Sequence, residues 1–216
     1  MSVRAFMSYS HEDKHLAGDV KKAMSDYGIE VFMAHEDIKL SSAWVAIIQA
    51  ELRRCDLFLL LLTNNFPHSK WTDQEAGIAL ALDKLIVPLS VHILPYGFIG
   101  AIQAVTLNPE RPRVACRHVA SAFIEHRPGE QSRFLDGFIP KFVDSDSYDE
   151  AGRNASVLVE CDRYSAEQVQ NVLRGIVENR QIHESGSARD HLNEFLKRYA
   201  KVDPKLARKA KRAMGQ

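Results

Sequence analysis

The chain has 216 residues, enough for one sizeable core or for one domain with an appendage. Hydrophobic residues make up 45% and charged ones 26%, the profile of an ordinary globular protein. The 28 Lys and Arg balance 28 Asp and Glu, so the overall charge gives no reason to expect nucleic acid or an anionic membrane as partner.

Cys55, Cys116 and Cys161 are odd in number and far apart, which argues against a disulfide framework or a zinc site, and no metal ligand set stands out. No apolar run approaches the length needed to span a bilayer. The first residues, MSVRAFMSYS, read as a strand rather than a signal peptide, so a cytoplasmic setting is expected.

Residues 3–9 are a short apolar run suited to a strand buried on both faces. Ser10 and Asp13 have the spacing of a capping pair for the helix that follows. Its stripe is Leu16, Val20, Ala23, Met24 and Tyr27, and Gly28 is its stop. Residues 29–33 make a second strand. The polar loop AHEDIKLSS leads to a helix with Trp44, Ile47, Ile48, Ala50 and Leu52. CDLFLLLLT, residues 55–63, is the strongest strand, and residues 85–91 and 104–107 supply a fourth and a fifth.

Alternating strands and helices with short connections imply right-handed crossovers and a parallel sheet with helices on both faces. Ligands of such sheets bind outside the carboxyl ends of the strands. From residue 113 onward the pattern becomes helical. Residues 113–126, 131–143, 147–161 and 165–178 read as helices, the last with a Ser165/Gln168 capping box, and Ala188 to Tyr199 carry another stripe. The segment from Lys197 to Arg212 holds eight basic residues against one Asp. It reads as a solvated helix end or frayed tail, with an anionic partner as the sharper alternative.

The helix SKWTDQEAGIALAL contains an anomaly. Trp71, Glu75, Ile78 and Leu82 fall on one stripe, yet Glu75 has no Lys or Arg three or four residues away to pair with. Such a carboxylate faces a gap to solvent, a distant cation, or a site that uses it.

The segments AFMSYSHED, VFMAHEDIKLSSAW, LFLLLLT and SKWTDQE, in this order, resemble a TIR (Toll/interleukin-1 receptor) domain over about residues 1–110. AHED and PYGFIGAIQA further resemble the bacterial TIR proteins of anti-phage defence, including those of Thoeris systems. The resemblance implies a flavodoxin-like domain (1–110) with a mainly parallel five-stranded sheet, and leaves the helical region (113–216) to the pattern of the residues alone. It also implies cleavage of NAD+, as substrate rather than cofactor, with Glu75 in the catalytic place of the WxxxE motif. The product would be ADP-ribose or a cyclic ADP-ribose-type signal acting on a separate effector protein, and the domains would self-associate.

Around the substrate the resemblance places Ser8, Tyr9 and Ser10 at the first strand end, and His35 and Asp37 in the loop after the second strand. It adds Trp44 and Trp71, each equally or better read as core, and one of Tyr96 and Phe98. Related enzymes often carry arginines where Ser10 and His11 stand here, leaving backbone N–H groups after Ser10 as the alternative phosphate ligands.

The chemistry of the residues agrees. Nicotinamide leaves from a cationic nitrogen, so its glycosidic bond breaks without a general acid. One partly desolvated carboxylate can stabilise the oxocarbenium-like ribose. The rival reading is a TIR scaffold acting only through homotypic assembly. A nucleoside deoxyribosyltransferase also uses a glutamate but fits the motifs less well. A phosphoryl-accepting receiver domain fails because the strand ends lack the acidic residues it needs.

Overall fold

The computed structural model describes residues 2–34 and 44–215, which divide into an α/β unit, Ser2–His126, and a helical unit, Arg127–Gln216. In the first, β1 (Val3–Ser8), β2 (Ile29–Phe32), β3 (Leu57–Leu62), β4 (Leu85–Ser90) and the two-residue β5 (Val105–Thr106) form an all-parallel sheet in the order β2-β1-β3-β4-β5. The five expected strands are all present, each shortened at one or both ends. β3 is central and every one of its residues is buried. LFLLLL is therefore continuously apolar instead of alternating.

Register is set by pairs such as Met7↔Leu59 and Leu59↔Val87. Pro88 sits inside β4 without breaking it. The Leu107 N–H reaches the Ser90 carbonyl on the β5 side, while Val91 donates to Leu62 on the β3 side. Alternation then turns the Pro88 nitrogen toward β5, whose pairing begins only at Leu89.

α1 (Lys14–Ser25) links β1 to β2, α2 (Trp44–Arg54) precedes β3, α3 (Thr72–Ala81) joins β3 to β4, and α4 (Pro112–His126) follows β5. α1 contacts α4 and α2 contacts α3, one pair on each face. Gly28, at φ 67°, takes the left-handed conformation that ends α1, and its N–H bonds the Ser25 carbonyl. Under α2 and α3 the core is built from Phe6, Phe58, Leu60, Leu62, Phe66 and Ile86. Phe6 stacks on Phe58 with ring centroids 5.7 Å apart. Each such side chain contributes about 1.5–3 kcal/mol by leaving water.

α4 packs on α1, β4 and β5, so the compact α/β unit includes it and runs to His126. Without α4, that end of the sheet face would be bare. In α3, the buried residues are Thr72, Glu75, Ala76 and Ala79, while Leu82 is 38% exposed. The inward face is thus rotated from the stripe of large residues onto one of small residues. Close approach of α3 to the sheet leaves room only for short side chains, and Trp71 and Ile78 flank the contact.

The helical unit contains α5 (Gln131–Val143), α6 (Tyr148–Leu158), α7 (Ala166–Glu178), α8 (Arg180–His183), α9 (Gly186–Tyr199) and α10 (Pro204–Ala213). The Ser165/Gln168 capping box is formed. α6 packs on α9, and α7 on both α5 and α10. Among the described residues, no helix is long and apolar enough to cross a membrane.

Candidate active site

In the order β2-β1-β3-β4-β5, the chain reverses direction across the sheet between β1 and β3, the switch point where a crevice opens above the strand ends. Polar side chains concentrate there although the surroundings are apolar: Ser8, Ser10, Thr63, Thr72 and Glu75 are all buried. β1 delivers Ser8, and the first turn of α3 delivers Glu75 from the other side. The Ser8 hydroxyl donates to Glu75 Oε2 at 2.5 Å. No cation faces this carboxylate among the described residues, and it is only 7% exposed. Burial therefore raises its pKa from 4.5 to about 7, against the smaller lowering effect of the Ser8 hydrogen bond. A carboxylate poised near neutrality in a ligand crevice is a functional signature, because folding alone would place an apolar residue there.

Trp71 heads α3 one turn before Glu75. Its ring meets that of Trp44, the first residue of α2, edge to face at 4.6 Å and 89°. Both are half-buried, and Trp44 also packs on the core beneath. Tyr9 is buried directly after Ser8. Tyr96 and Phe98 separate clearly. The Tyr96 hydroxyl donates to Asp73 Oδ1 on α3 at 2.8 Å, and burial with the Asp73 carboxylate pushes its pKa up to about 12. Phe98 is 94% exposed. His35 and Asp37 lie outside the described residues. His68 is exposed, as expected.

One polar network beside the crevice joins residues far apart in the sequence. Asp13 does not form a capping box with Ser10, whose side chain makes no cap bond to the short 3-10 turn His11–Asp13. The Asp13 carboxylate instead accepts from Thr63 Oγ1 at 2.5 Å and from Asn65 Nδ2 at 2.9 Å. It ties the loop after β1 to the loop after β3, the two lips of the crevice. A Thr-x-Asn directly after a buried strand is the only sequence trace of this brace, and its partner lies 50 residues away. The brace also bears on phosphate binding. Glu12 and Asp13 occupy the turn before α1, and the Asp13 N–H is spent on the Ser10 carbonyl. This turn is therefore a poor anion site.

A cleft of about 740 Å³ lies elsewhere, along β4, β5 and the His118–His126 side of α4; none of Ser8, Trp71, Glu75 or Tyr96 lines it. Volume alone would point there, but that cleft lacks a buried carboxylate, whereas the switch point holds Glu75. Among the described residues, no cluster of His, Cys, Asp and Glu is arranged to hold a metal.

A family model described as TIR domain matches residues 5–120, just over half of the chain. No curated protein matches it.

Proposed function

The chain belongs to the TIR-domain family, and from that premise we propose that it cleaves NAD+ at the nicotinamide N-glycosidic bond with Glu75 as the catalytic residue. The observation that carries this reading is the buried Glu75 at the β1/β3 switch point, with a serine donor and no cationic partner among the described residues.

The reaction asks little of the protein beyond this. As the C1′–N bond breaks, its electron pair neutralises the cationic ring nitrogen, and nicotinamide departs without needing a proton. The ribose carbon left behind is oxocarbenium-like, and the Glu75 carboxylate stabilises it from close range in a site of low dielectric. The substrate's own positive ring favours the ionised form of Glu75, lowering its pKa on binding. Water then adds to C1′ and loses a proton, giving ADP-ribose. A nucleophilic atom of the substrate's own adenine adding at the same carbon gives a cyclic isomer. The Trp44–Trp71 pair and Tyr96 supply flat apolar surface to the bases.

The resemblance of AHED and PYGFIGAIQA to anti-phage TIR proteins supports a cyclic ADP-ribose-type signal, read by a separate effector protein in the cytoplasm, as the product. Self-association through the TIR domain would complete the site. The test is incubation of purified protein with NAD+ at increasing protein concentration, following nicotinamide release and identifying products by mass spectrometry. Release that disappears in Glu75→Gln is expected. A wild-type protein inert at every concentration would leave the scaffold reading.

A further inference from the structure

We propose that α10 and the end of α9 form a surface that binds the phosphate backbone of a double-stranded nucleic acid without reading its sequence. The proposal goes beyond NAD+ cleavage and does not depend on it. The whole-chain balance of 28 cations and 28 anions averages over a strongly uneven distribution. From Lys197 to Arg212, eight Lys and Arg stand against Asp203 alone, and all eight are exposed. Arg198 pairs with Glu194, and no other of the eight meets a carboxylate among the described residues. Asp203 itself is engaged, its Oδ1 capping α10 through the Leu206 N–H and its Oδ2 accepting from Gln170.

The segment is a helix, not a frayed tail. Ala207, Ala210 and Met214 are buried and α10 packs on α7, with Pro204 and the Asp203 cap starting it. At 3.6 residues per turn, Lys205, Arg208, Lys209, Lys211 and Arg212 fall within an arc of roughly 160° opposite that buried side. Lys201, Arg208 and Lys211 also line a cleft of about 440 Å³ with Ala200, Pro204 and Ala207.

This arrangement works against stability. Lys205 and Lys209, and Arg208 and Arg212, are like-charge pairs four residues apart. Three more lie three apart, and Lys205 sits in the first turn, where the helix dipole disfavours a cation. A helix needed only to cover α7 would be better served by mixed charges. The unbalanced face acts as a positive field for a dense anion.

The kind of anion follows from what surrounds the cations. α10 is ~15 Å long, and over that length a duplex presents roughly nine phosphates, at one per ~1.7 Å. Tyr199, the aromatic residue of the segment, is half-buried against Tyr164 and Phe195. It is thus unavailable to stack on unpaired bases, which favours a duplex over a single strand. The apolar side of α10 is spent on α7, and Val202 alone is too little exposed apolar surface in this segment to anchor in a bilayer.

The experiment titrates the full chain into fluorescent DNA and RNA duplexes of about 30 bp in about 50 mM salt, then repeats the titration at rising salt. Micromolar binding is expected, with log K falling against log salt at a slope of about −4 and less than about twofold dependence on base sequence. The triple variant Lys205→Glu, Arg208→Glu, Lys211→Glu should bind at least about 30-fold more weakly with an unchanged circular dichroism spectrum. The milder Lys205→Gln, Lys211→Gln pair should flatten the slope by about two. Absence of binding at low salt would overturn the proposal, as would binding indifferent to these changes. So would charge reversal that instead abolished self-association in sedimentation, the signature of α10 docking on the α5–α7 groove of a second copy, where Asp136, Asp144, Glu167 and Glu178 lie. Binding to phosphatidylserine vesicles but not to duplex would overturn it equally.

Discussion

Glu75→Gln should make the protein more stable at pH 8 than the wild type while removing its chemistry. Burial raises the Glu75 pKa from 4.5 to about 7, so the folded state holds this proton more tightly than the unfolded state does. The sign follows by linkage. The cost of the group is absent below about 4.5, grows as pH rises toward 7 and is constant above it, because only there must folding bury a charge. The difference of about 2.5 pKa units, at 1.36 kcal/mol each, amounts to about 3 kcal/mol at pH 8 and under about 1 kcal/mol at pH 5.

Gln keeps an oxygen to accept from Ser8 but brings amide hydrogens into a buried place, a cost of about 1–2 kcal/mol. That cost does not depend on pH and cancels when the variant-minus-wild-type gap is compared between the two pH values. The gap should widen in the variant's favour by about 2–3 kcal/mol from pH 5 to pH 8. Urea denaturation followed by tryptophan fluorescence measures it, and both tryptophans, Trp44 and Trp71, report on the α/β unit alone. A gap that stays constant between the two pH values would show that the carboxylate has a compensating partner, and the argument for a poised Glu75 would fail.

Three further outcomes are expected. Ser8→Ala removes the hydrogen bond that holds the Glu75 pKa down, so the acidic limb of a pH–rate profile should move to higher pH; an unmoved limb would assign that ionisation to another group. Asp13→Ala unties the Thr63 and Asn65 side chains. It should cost about 2 kcal/mol of stability by thermal denaturation and lower turnover, since the loop after β3 leads into α3. Gly152→Ala places a Cβ 2.7 Å from that of Ser187 where α6 meets α9. Crowding of about 1–3 kcal/mol should outweigh the gain of about 1 kcal/mol in helix propensity, and adding Ser187→Gly should restore the loss in a denaturation series.

The parallel sheet was legible in the sequence because its causes are local. Buried strands such as LFLLLL, interleaved with helical stripes and short turns, admit few other arrangements. The Ser165/Gln168 box and the Gly28 stop also follow from contacts within a few residues. Glu75 stood out for the same reason, as a carboxylate with no counter-charge in reach along its own helix. The resemblance to the family motif then marked it as the residue expected to be catalytic, before any distance was known.

The facing of α3, the brace at Asp13 and the ordered basic helix α10 were not legible. Trp71, Ile78 and Leu82 formed the stronger apolar stripe, yet Thr72, Ala76 and Ala79 face inward because α3 approaches the sheet closely. Asp13 had the spacing of a cap, and only the pairing of β1 with β3 brings Thr63 and Asn65 within its reach. α10 is ordered because α7 is present to bury Ala207 and Ala210. Periodicity and chemical type are properties of a segment, so the sequence determined the elements and the suspect carboxylate. Which face turns inward, and which distant polar groups meet, depends on the distances between elements, and those exist only once the chain has closed on itself.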